Sequence, residues 1–343
     1  MEPSSSLKQR LSFMARAALA CGGMVALGLL IRSAGADAVK ASLLGAAPWL
    51  PLLLTLEVAR IGLEVVSTRH LLGSAAPLVS WRELFRLQLM AYGICTLAPA
   101  GRPASEAAKA AGLAPRVGKA RAAAVAAHGQ ALNLLGEAAI SGTTVLALSL
   151  LAPWSLLGSA LLVHFVTCAG MALILQLGVR TRLLETALRR FPRPAAAVAA
   201  LRMAARTQPG IPPVPFLMFA GSKALQVINL CLLLRAGGLE LDALRVTYTA
   251  ALNSLASAVG DLVPAQLGAT DGVFALGANL LAVPLGAVLG ATALFHCVQL
   301  FWVSVTALSV LVWRPSDEPA TPAWQPAKSR TLAYKAFAAM LRQ

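Results

Sequence analysis

The chain has 343 residues, of which 58% are hydrophobic and only 13% are charged, and its mean hydropathy is +0.72. Soluble domains usually carry about 25% charged residues, so the composition excludes a water-soluble globular protein and is typical of a chain that crosses a bilayer several times. The formal net charge is +15. Most lysines and arginines lie between apolar runs, as they do in cytoplasmic loops, and we therefore expect membrane lipids rather than nucleic acid as partners.

In chain order, six apolar runs are long enough to cross a membrane, because a spanning helix needs about 20 residues. They cover residues 14–31, 42–66, 122–151, 154–179, 214–234 and 285–313. The first run follows several basic residues, as in a secretory signal, but Arg32 and the many later runs favour an uncleaved first span. The arginine-rich segment 180–213 is typical of a cytoplasmic loop.

Two further apolar runs break at proline and glycine. Residues 84–98 are too short to cross the membrane and lead into a Pro/Gly-rich stretch at 99–103, and residues 244–263 lead into a second such stretch at 264–272. Backbone without helical hydrogen bonds is tolerated at membrane depth only where protein or water shields it. We therefore predict that each broken run forms a re-entrant helical hairpin.

The two broken segments indicate an internal repeat. Both follow the pattern Leu-x-Pro-Ala-x-x-x-Ala-(Ser/Thr)-acid, from Leu97 to Glu106 and from Leu262 to Asp271, with an offset of 262 − 97 = 165 residues. Basic residues flank the first segment on both sides, whereas few cations flank the second. The positive-inside rule then predicts that the hairpins enter from opposite faces, which is an inverted-topology repeat of the kind found in transporters.

The broken segments also predict a binding site. Helices that restart after the prolines would point their N-terminal amides at the membrane centre, and such helix ends favour anions. Ser105 and Thr270 suit the N-cap, and Glu106 and Asp271 suit the first turn, so capping alone is an alternative interpretation. The candidate residues for binding a lipid headgroup are Pro99, Gly101, Arg102, Ser105, Glu106, Pro264, Gly268, Thr270 and Asp271.

Polar side chains within the apolar runs form four stripes at helical spacing. Such residues usually face the interior of a helix bundle or a wet cavity. We expect at least two stripes to line one polar cavity, with helix–helix hydrogen bonding as the alternative. The stripes consist of Glu57, Arg60 and Glu64; of Gln130, Asn133 and Glu137; of Lys223, Gln226 and Asn229; and of His296 with Gln299.

Motifs that carry enzyme chemistry are lacking in the sequence. The histidines within the spans are single, and no metal-ligand spacing, nucleophile elbow or nucleotide-binding glycine motif occurs. We therefore expect a protein that is not an enzyme, with no catalytic residue, no metal and no cofactor.

At these residues the sequence resembles the flippase-like family, the membrane region of lysylphosphatidylglycerol synthases. The resemblance is carried by residues 96–106, by the helix at 119–137 and by residues 261–271. It implies a lipid-handling membrane domain with re-entrant helices. The sequence has no room for the cytosolic aminoacyl-transfer domain of the bifunctional synthases, so we do not expect lysyl transfer. Relatives often carry an acid–arginine pair where this chain has residues 128–130. The residues that match the two family motifs are Pro99, Gly101, Arg102, Glu106, Pro264, Gly268 and Asp271.

We therefore predict an all-α polytopic membrane protein with about six full spans and two re-entrant hairpins in an inverted repeat. A cytoplasmic segment, 1–13, precedes one transmembrane domain, 14–313, with repeat halves at about 42–179 and 214–313, and a basic cytoplasmic tail, 314–343, follows. The expected function is binding and translocation of a lipid or lipid-linked anionic headgroup in the cell membrane, with both termini cytoplasmic. A small polar solute transporter and a non-transporting partner of envelope-lipid biosynthesis enzymes are the alternatives, and the oligomeric state stays open.

Overall fold

The computed structural model describes residues 21–98, 101–181, 192–206, 211–261 and 263–312, and in these ranges the chain is helical with no strand. The predicted all-α polytopic fold is confirmed, since five helical segments are long and apolar enough to cross a membrane. The helices are α1 (Cys21–Ala34), α2 (Ala36–Ala46), α3 (Leu50–Leu72), α4 (Trp81–Leu97), α5 (Gly101–Val117), α6 (Lys119–Leu151), α7 (Leu156–Arg180), α8 (Pro192–Arg206), α9 (Pro213–Ala236), α10 (Ala243–Gly260), α11 (Ala269–Leu276), α12 (Ala278–Leu281) and α13 (Leu285–Val312).

The long apolar helices coincide with five of the six predicted spans. They are the segment Ala36–Leu78, which contains α2 and α3, followed by α6, α7, α9 and α13. The sixth predicted span, at residues 14–31, overlaps α1 but begins outside the described residues. The predicted tail at 314–343 also lies outside them.

Short polar caps begin several helices and explain where these helices start. The Ser80 hydroxyl accepts a hydrogen bond from the Glu83 amide at 3.2 Å at the start of α4. The Asp242 carboxylate accepts one from the Arg245 amide at 2.7 Å at the start of α10. Each cap satisfies an amide that has no partner within its own helix.

The two broken runs form helical hairpins. The first hairpin consists of α4 and α5 packed against each other, and the second consists of α10 packed against α11 and α12. At the first tip a Cβ on Gly101 would overlap the backbone of Cys95. At the second tip Gly268 has a φ of 76°, in the left-handed region that favours glycine. Glycine at these tips therefore allows the chain to reverse direction.

Equivalent side chains make equivalent contacts in the two hairpins. A Cβ on Gly112 would overlap the side chain of Leu87, and a Cβ on Gly277 would overlap that of Leu252. The corresponding members of the two pairs are separated by the predicted offset, since 252 − 87 = 165 for the leucines and 277 − 112 = 165 for the glycines. The same large-against-small packing thus sets the approach of the two arms in both hairpins.

The helices that precede the hairpins run antiparallel. The Ser67 hydroxyl near the end of α3 donates to the Pro215 carbonyl near the start of α9 at 3.5 Å. At the other end, Leu53 packs in one cluster with Leu230 and Leu234. If α3 and α9 each cross the bilayer, their opposite directions bring the chain to opposite faces before each hairpin. This geometry agrees with hairpins that enter from opposite sides.

Replacement of Gly101 by alanine should destabilise the first hairpin. The added Cβ would meet backbone atoms of Cys95, which cannot rotate away as a side chain can, and overpacking typically costs about 1–3 kcal/mol. Gly170→Ala is the matched control, because nothing lies within 4 Å of a Cβ at this position in α7. Thermal unfolding in detergent should show a lower midpoint for Gly101→Ala alone. Equal midpoints would contradict the tight turn.

Candidate functional site

The tips of the two hairpins meet at a cavity of about 440 Å³. Cys95, Thr96 and Arg102 line it from the first hairpin, and Asp261 and Gln266 line it from the second. Helices α3, α6, α7, α9 and α13 contribute the other walls. The volume lies within the range of about 300–1,000 Å³ typical of ligand pockets, so the cavity has room for a small polar ligand or a lipid headgroup.

Each of the four polar stripes places at least one side chain on the cavity. The members that line it are Arg60, Glu64, Gln130, Asn133, Glu137, Lys223, Gln226 and Gln299. The other three members, Glu57, Asn229 and His296, do not line this cavity and are buried. The Glu57 carboxylate is bound by Arg60, one helical turn along α3, at 2.6 and 2.9 Å.

Some of the candidate headgroup residues line the cavity and others do not. Arg102 and Ser105 line the cavity, and Pro99 lies outside the described residues. The remaining candidates do not line it: they are Gly101, Glu106, Pro264, Gly268, Thr270 and Asp271. Glu106 instead pairs with Lys109 at 2.6 Å on its own helix.

The predictions that Ser105 and Thr270 are N-caps are wrong. The prediction that Glu106 lies in the first turn of its helix is also wrong. In the described residues α5 already begins at Gly101, since a proline such as Pro103 is tolerated in a first helical turn, where its missing N–H has no partner to lose. Ser105 therefore lies inside the helix and donates to the Arg102 carbonyl at 2.8 Å. Glu106 consequently lies beyond the first turn.

At the second hairpin, the N-cap of α11 is Gly268 and Thr270 is the second helical residue. The positive φ of Gly268 ends the tip here and starts the helix two residues earlier than expected. Asp271 lies in the first turn as predicted, and its carboxylate accepts a hydrogen bond from the Gly268 amide at 2.9 Å.

Glu64 is the centre of the charged cluster at one end of the cavity. Its carboxylate is bound by both terminal nitrogens of Arg102, at 3.1 and 3.4 Å, and by Arg60 at 3.4 Å. It also accepts hydrogen bonds from Gln88 at 2.6 Å and from Ser222 at 3.2 Å. Four helices, α3, α4, α5 and α9, are therefore joined through one buried carboxylate.

A second ion pair and an acid without a close cation lie at the other end of the cavity. Lys223 on α9 pairs with Glu137 on α6. Asp261, at the end of α10, has no cation within 4.0 Å among the residues that the structure describes. The cations of the cavity wall are thus already paired with carboxylates, whereas the carboxylate of Asp261 is not paired with a cation among the described residues.

Several lining residues were not proposed from the sequence, namely Gln88, Tyr92, His164, Asp261 and Gln266. Asp261 carried a usable signal, because it is an acid three residues before Pro264 in a broken apolar run. At the repeat offset it corresponds to Thr96, which lines the cavity from the first hairpin. Gln88 and Tyr92 had no such signal, since a single polar residue in an apolar helix does not indicate which neighbour it meets.

The cavity reaches the outer surface of the helix bundle beside α7. Met171, which lines the cavity, is 50% exposed, and Thr167 and Ala258 also line it and are exposed. The surface of α7 next to this opening is apolar, with Val166 and Ile174 exposed. We refer to Thr167, Met171 and Ala258 as the lateral mouth.

Glu64→Gln should destabilise the protein strongly, because it removes the carboxylate that compensates Arg102. Removal of one partner from a buried ion pair costs about 3–5 kcal/mol. Glu240→Gln is the control, since Glu240 pairs with Arg245 but is 86% exposed, and surface pairs contribute less than about 1 kcal/mol. Denaturant unfolding in detergent should separate the two variants, and similar midpoints would show that the cluster does not hold the helices together.

A comparison with family models matches residues 13–307 to the lysylphosphatidylglycerol synthase TM region. Searches of the curated proteins and of the solved structures found no match. The family match and the apolar helices identify an integral membrane protein of lipid metabolism or transport. Because the match covers most of the 343 residues, the chain belongs to the family of the lysylphosphatidylglycerol synthase TM region.

Proposed function

We propose that this protein binds the headgroup of a lipid, or of a lipid-linked anionic group, in the cavity between the hairpin tips and moves the lipid across the bilayer. The observation that carries the proposal is a polar cavity at the meeting point of two hairpins, in a membrane protein of a lipid-handling family. Inverted repeats around one central site are a recurring architecture of transporters that work by alternating access. No covalent reaction forms part of the proposal.

Arg102 is the residue that would receive a phosphate. Its guanidinium now forms a two-pronged contact with Glu64, and a phosphate can accept the same fork. Glu64 would keep Arg60, Gln88 and Ser222 as partners if Arg102 turned away. The exchange therefore leaves neither the carboxylate nor the guanidinium unpaired, which keeps its free-energy cost low.

The amides of the cavity wall would bind the rest of the headgroup. Gln130, Asn133, Gln226 and Gln299 supply both donors and acceptors. Asn133 is 4% exposed, and its carbonyl oxygen has no hydrogen-bond partner among the described residues. A buried polar atom of this kind is costly unless a ligand or water satisfies it, which supports a polar occupant.

The lateral mouth would let the acyl chains stay in the bilayer while the headgroup enters. Met171 lies both on the cavity and on the lipid-facing surface of α7. A wholly enclosed cavity would suit a free solute, whereas an opening beside exposed apolar side chains suits a ligand with a hydrophobic tail.

The orientation that we propose follows from the charges at the two ends of the spans. Arg69, Arg116 and Arg121 lie on the side where the first hairpin enters, and Glu240 and Asp242 lie where the second enters. The positive-inside rule assigns the first side to the cytoplasm. With six crossings, both termini would then be cytoplasmic in a cell membrane.

Asn133→Leu should slow lipid movement at least about tenfold, because it removes a hydrogen-bonding amide and introduces an apolar side chain into the headgroup site. The assay follows fluorescent phosphatidylglycerol in reconstituted vesicles by quenching of the outer leaflet. Thr143→Leu is the matched control, since Thr143 lies on the exposed side of the same helix.

Equal rates in both variants would remove the cavity from the mechanism. If the wild-type protein moves no lipid but takes up a small polar solute, the solute-transporter alternative is favoured.

Met171→Trp should slow lipid movement by a similar factor, about tenfold, because a larger side chain narrows the lateral mouth. Val163→Trp is the control, because Val163 is 65% exposed on the same helix but does not line the cavity. The same vesicle assay measures both variants. An unchanged rate for Met171→Trp would mean that the acyl chains do not pass beside α7.

A further inference from the structure

A buried histidine–aspartate pair lies behind the cavity wall. The Nε2 atom of His296, on α13, lies 3.1 Å from an Oδ atom of Asp271, on α11. The side chains of Asp271 and His296 are 0% and 6% exposed. Ionisable groups at such depth are expensive to keep in a membrane domain and usually serve a function.

The pair is connected to the cavity and to the second hairpin tip. The other ring nitrogen of His296, Nδ1, lies 3.4 Å from Oε1 of Gln299, and Gln299 lines the cavity. On the opposite side, the Asp271 oxygen that faces His296 also accepts the hydrogen bond from the Gly268 amide. A change at the pair would thus reach both the ligand site and the start of α11.

Hydrogen-bond complementarity links Gln299 to the protonation of the pair. A carboxylate and an amide oxygen are both acceptors, so a ring that faces both must donate from both nitrogens, or Asp271 must carry the extra proton. If the Gln299 amide turns over, its NH₂ group donates to Nδ1, and a neutral ring with its proton on Nε2 satisfies both neighbours. Each protonation state therefore requires its own orientation of Gln299.

We propose that His296 and Asp271 form a proton-binding site whose occupancy sets the orientation of Gln299 in the cavity. With the proton bound, the amide turns its oxygen to His296 and its NH₂ group is free to face the cavity. With the proton released, the NH₂ group turns to the ring. The site would couple headgroup binding to proton binding. This coupling rests on the proposed function, whereas proton binding by the pair does not depend on it.

Other ionisable groups surround this site. Several ionisable residues on the helices packed against α11 and α13 line the same cavity as Gln299. They are Arg60, Glu64, Tyr92, Cys95, Lys223 and Asp261. Asp37 and Lys40 on α2 are exposed, and Arg245 on α10 pairs with Glu240 and Asp242. Neither α11 nor α12 has an ionisable residue other than Asp271, so the pair itself is the group expected to respond.

The experiment is nitrogen-15 NMR of the full-length protein in nanodiscs, labelled at histidine. The chain has four histidines, and His296→Gln assigns the signal. We expect the wild-type signal to change between two protonated ring nitrogens at low pH and one at high pH. In Asp271→Asn, the ratio of doubly to singly protonated rings at pH 7 should fall about tenfold or more, because the variant loses the opposite charge that favours the charged ring.

Asp37→Asn is the control and should leave the His296 signal unchanged. A wild-type His296 whose Nδ1 and Nε2 atoms both keep the same protonation from pH 5 to pH 9 would overturn the proposal, as would an unaltered titration in Asp271→Asn. The wild-type titration decides even if the variant fails to fold.

Coupling is tested separately with Gln299→Leu. His296 should still titrate in this variant, while the rate of fluorescent phosphatidylglycerol movement should lose the pH dependence seen in the wild-type protein. A pH dependence equal to that of the wild type would overturn the role of Gln299. Titration of His296 without any lipid movement would count against the proposed function and leave the proton site standing.

Discussion

The arrangement of the membrane domain depends on the ion pairs and hydrogen bonds that the buried carboxylate of Glu64 forms. It receives Arg102 from the first hairpin, Gln88 from the other arm of this hairpin and Ser222 from the antiparallel helix of the second half. In a medium of low dielectric constant, a charge is tolerated only with partners of this kind. The cluster therefore fixes where α3, α4, α5 and α9 lie relative to each other, and with them the position of the cavity.

The internal repeat explains why the two hairpins match in shape but differ in chemistry. Gly112 with Leu87 and Gly277 with Leu252 preserve the same close approach between hairpin arms. The charged residues that line the cavity do not repeat, since the first tip presents Arg102 and the second presents Asp261. Steric constraints on a reversed chain apply equally to both halves, whereas a site at their junction needs different groups from each side.

The cavity and the His296–Asp271 pair together form a site whose ion pairs and hydrogen bonds could rearrange when a ligand binds. Ion pairs that share a partner, as Arg60 and Arg102 share Glu64, can exchange without leaving a buried charge alone. Gln299 stands between the pair and the cavity, and a terminal amide can present either a donor or an acceptor to the same space. A binding site built from such groups could adopt alternative arrangements, as the proposed transport cycle requires.

Much of the architecture was predictable from the sequence, because hydropathy and helical periodicity are local properties. The apolar runs determined the spans, the prolines and glycines determined where helices break, and the 165-residue offset indicated two related hairpins. The four polar stripes were recognisable for the same reason, since residues three or four positions apart share one helix face.

The partners of the polar residues were decided only by the tertiary structure. Arg102 meets Glu64 across 38 residues and Ser222 meets it across 158, and no local pattern specifies how two helices rotate about their axes to bring such groups together. The same holds for Asp271, which suited a headgroup site by its place in the motif but faces His296 instead. Thus the sequence by itself determined the helices and their polar faces, while helix packing decided which charges are already paired and which remain available to a ligand.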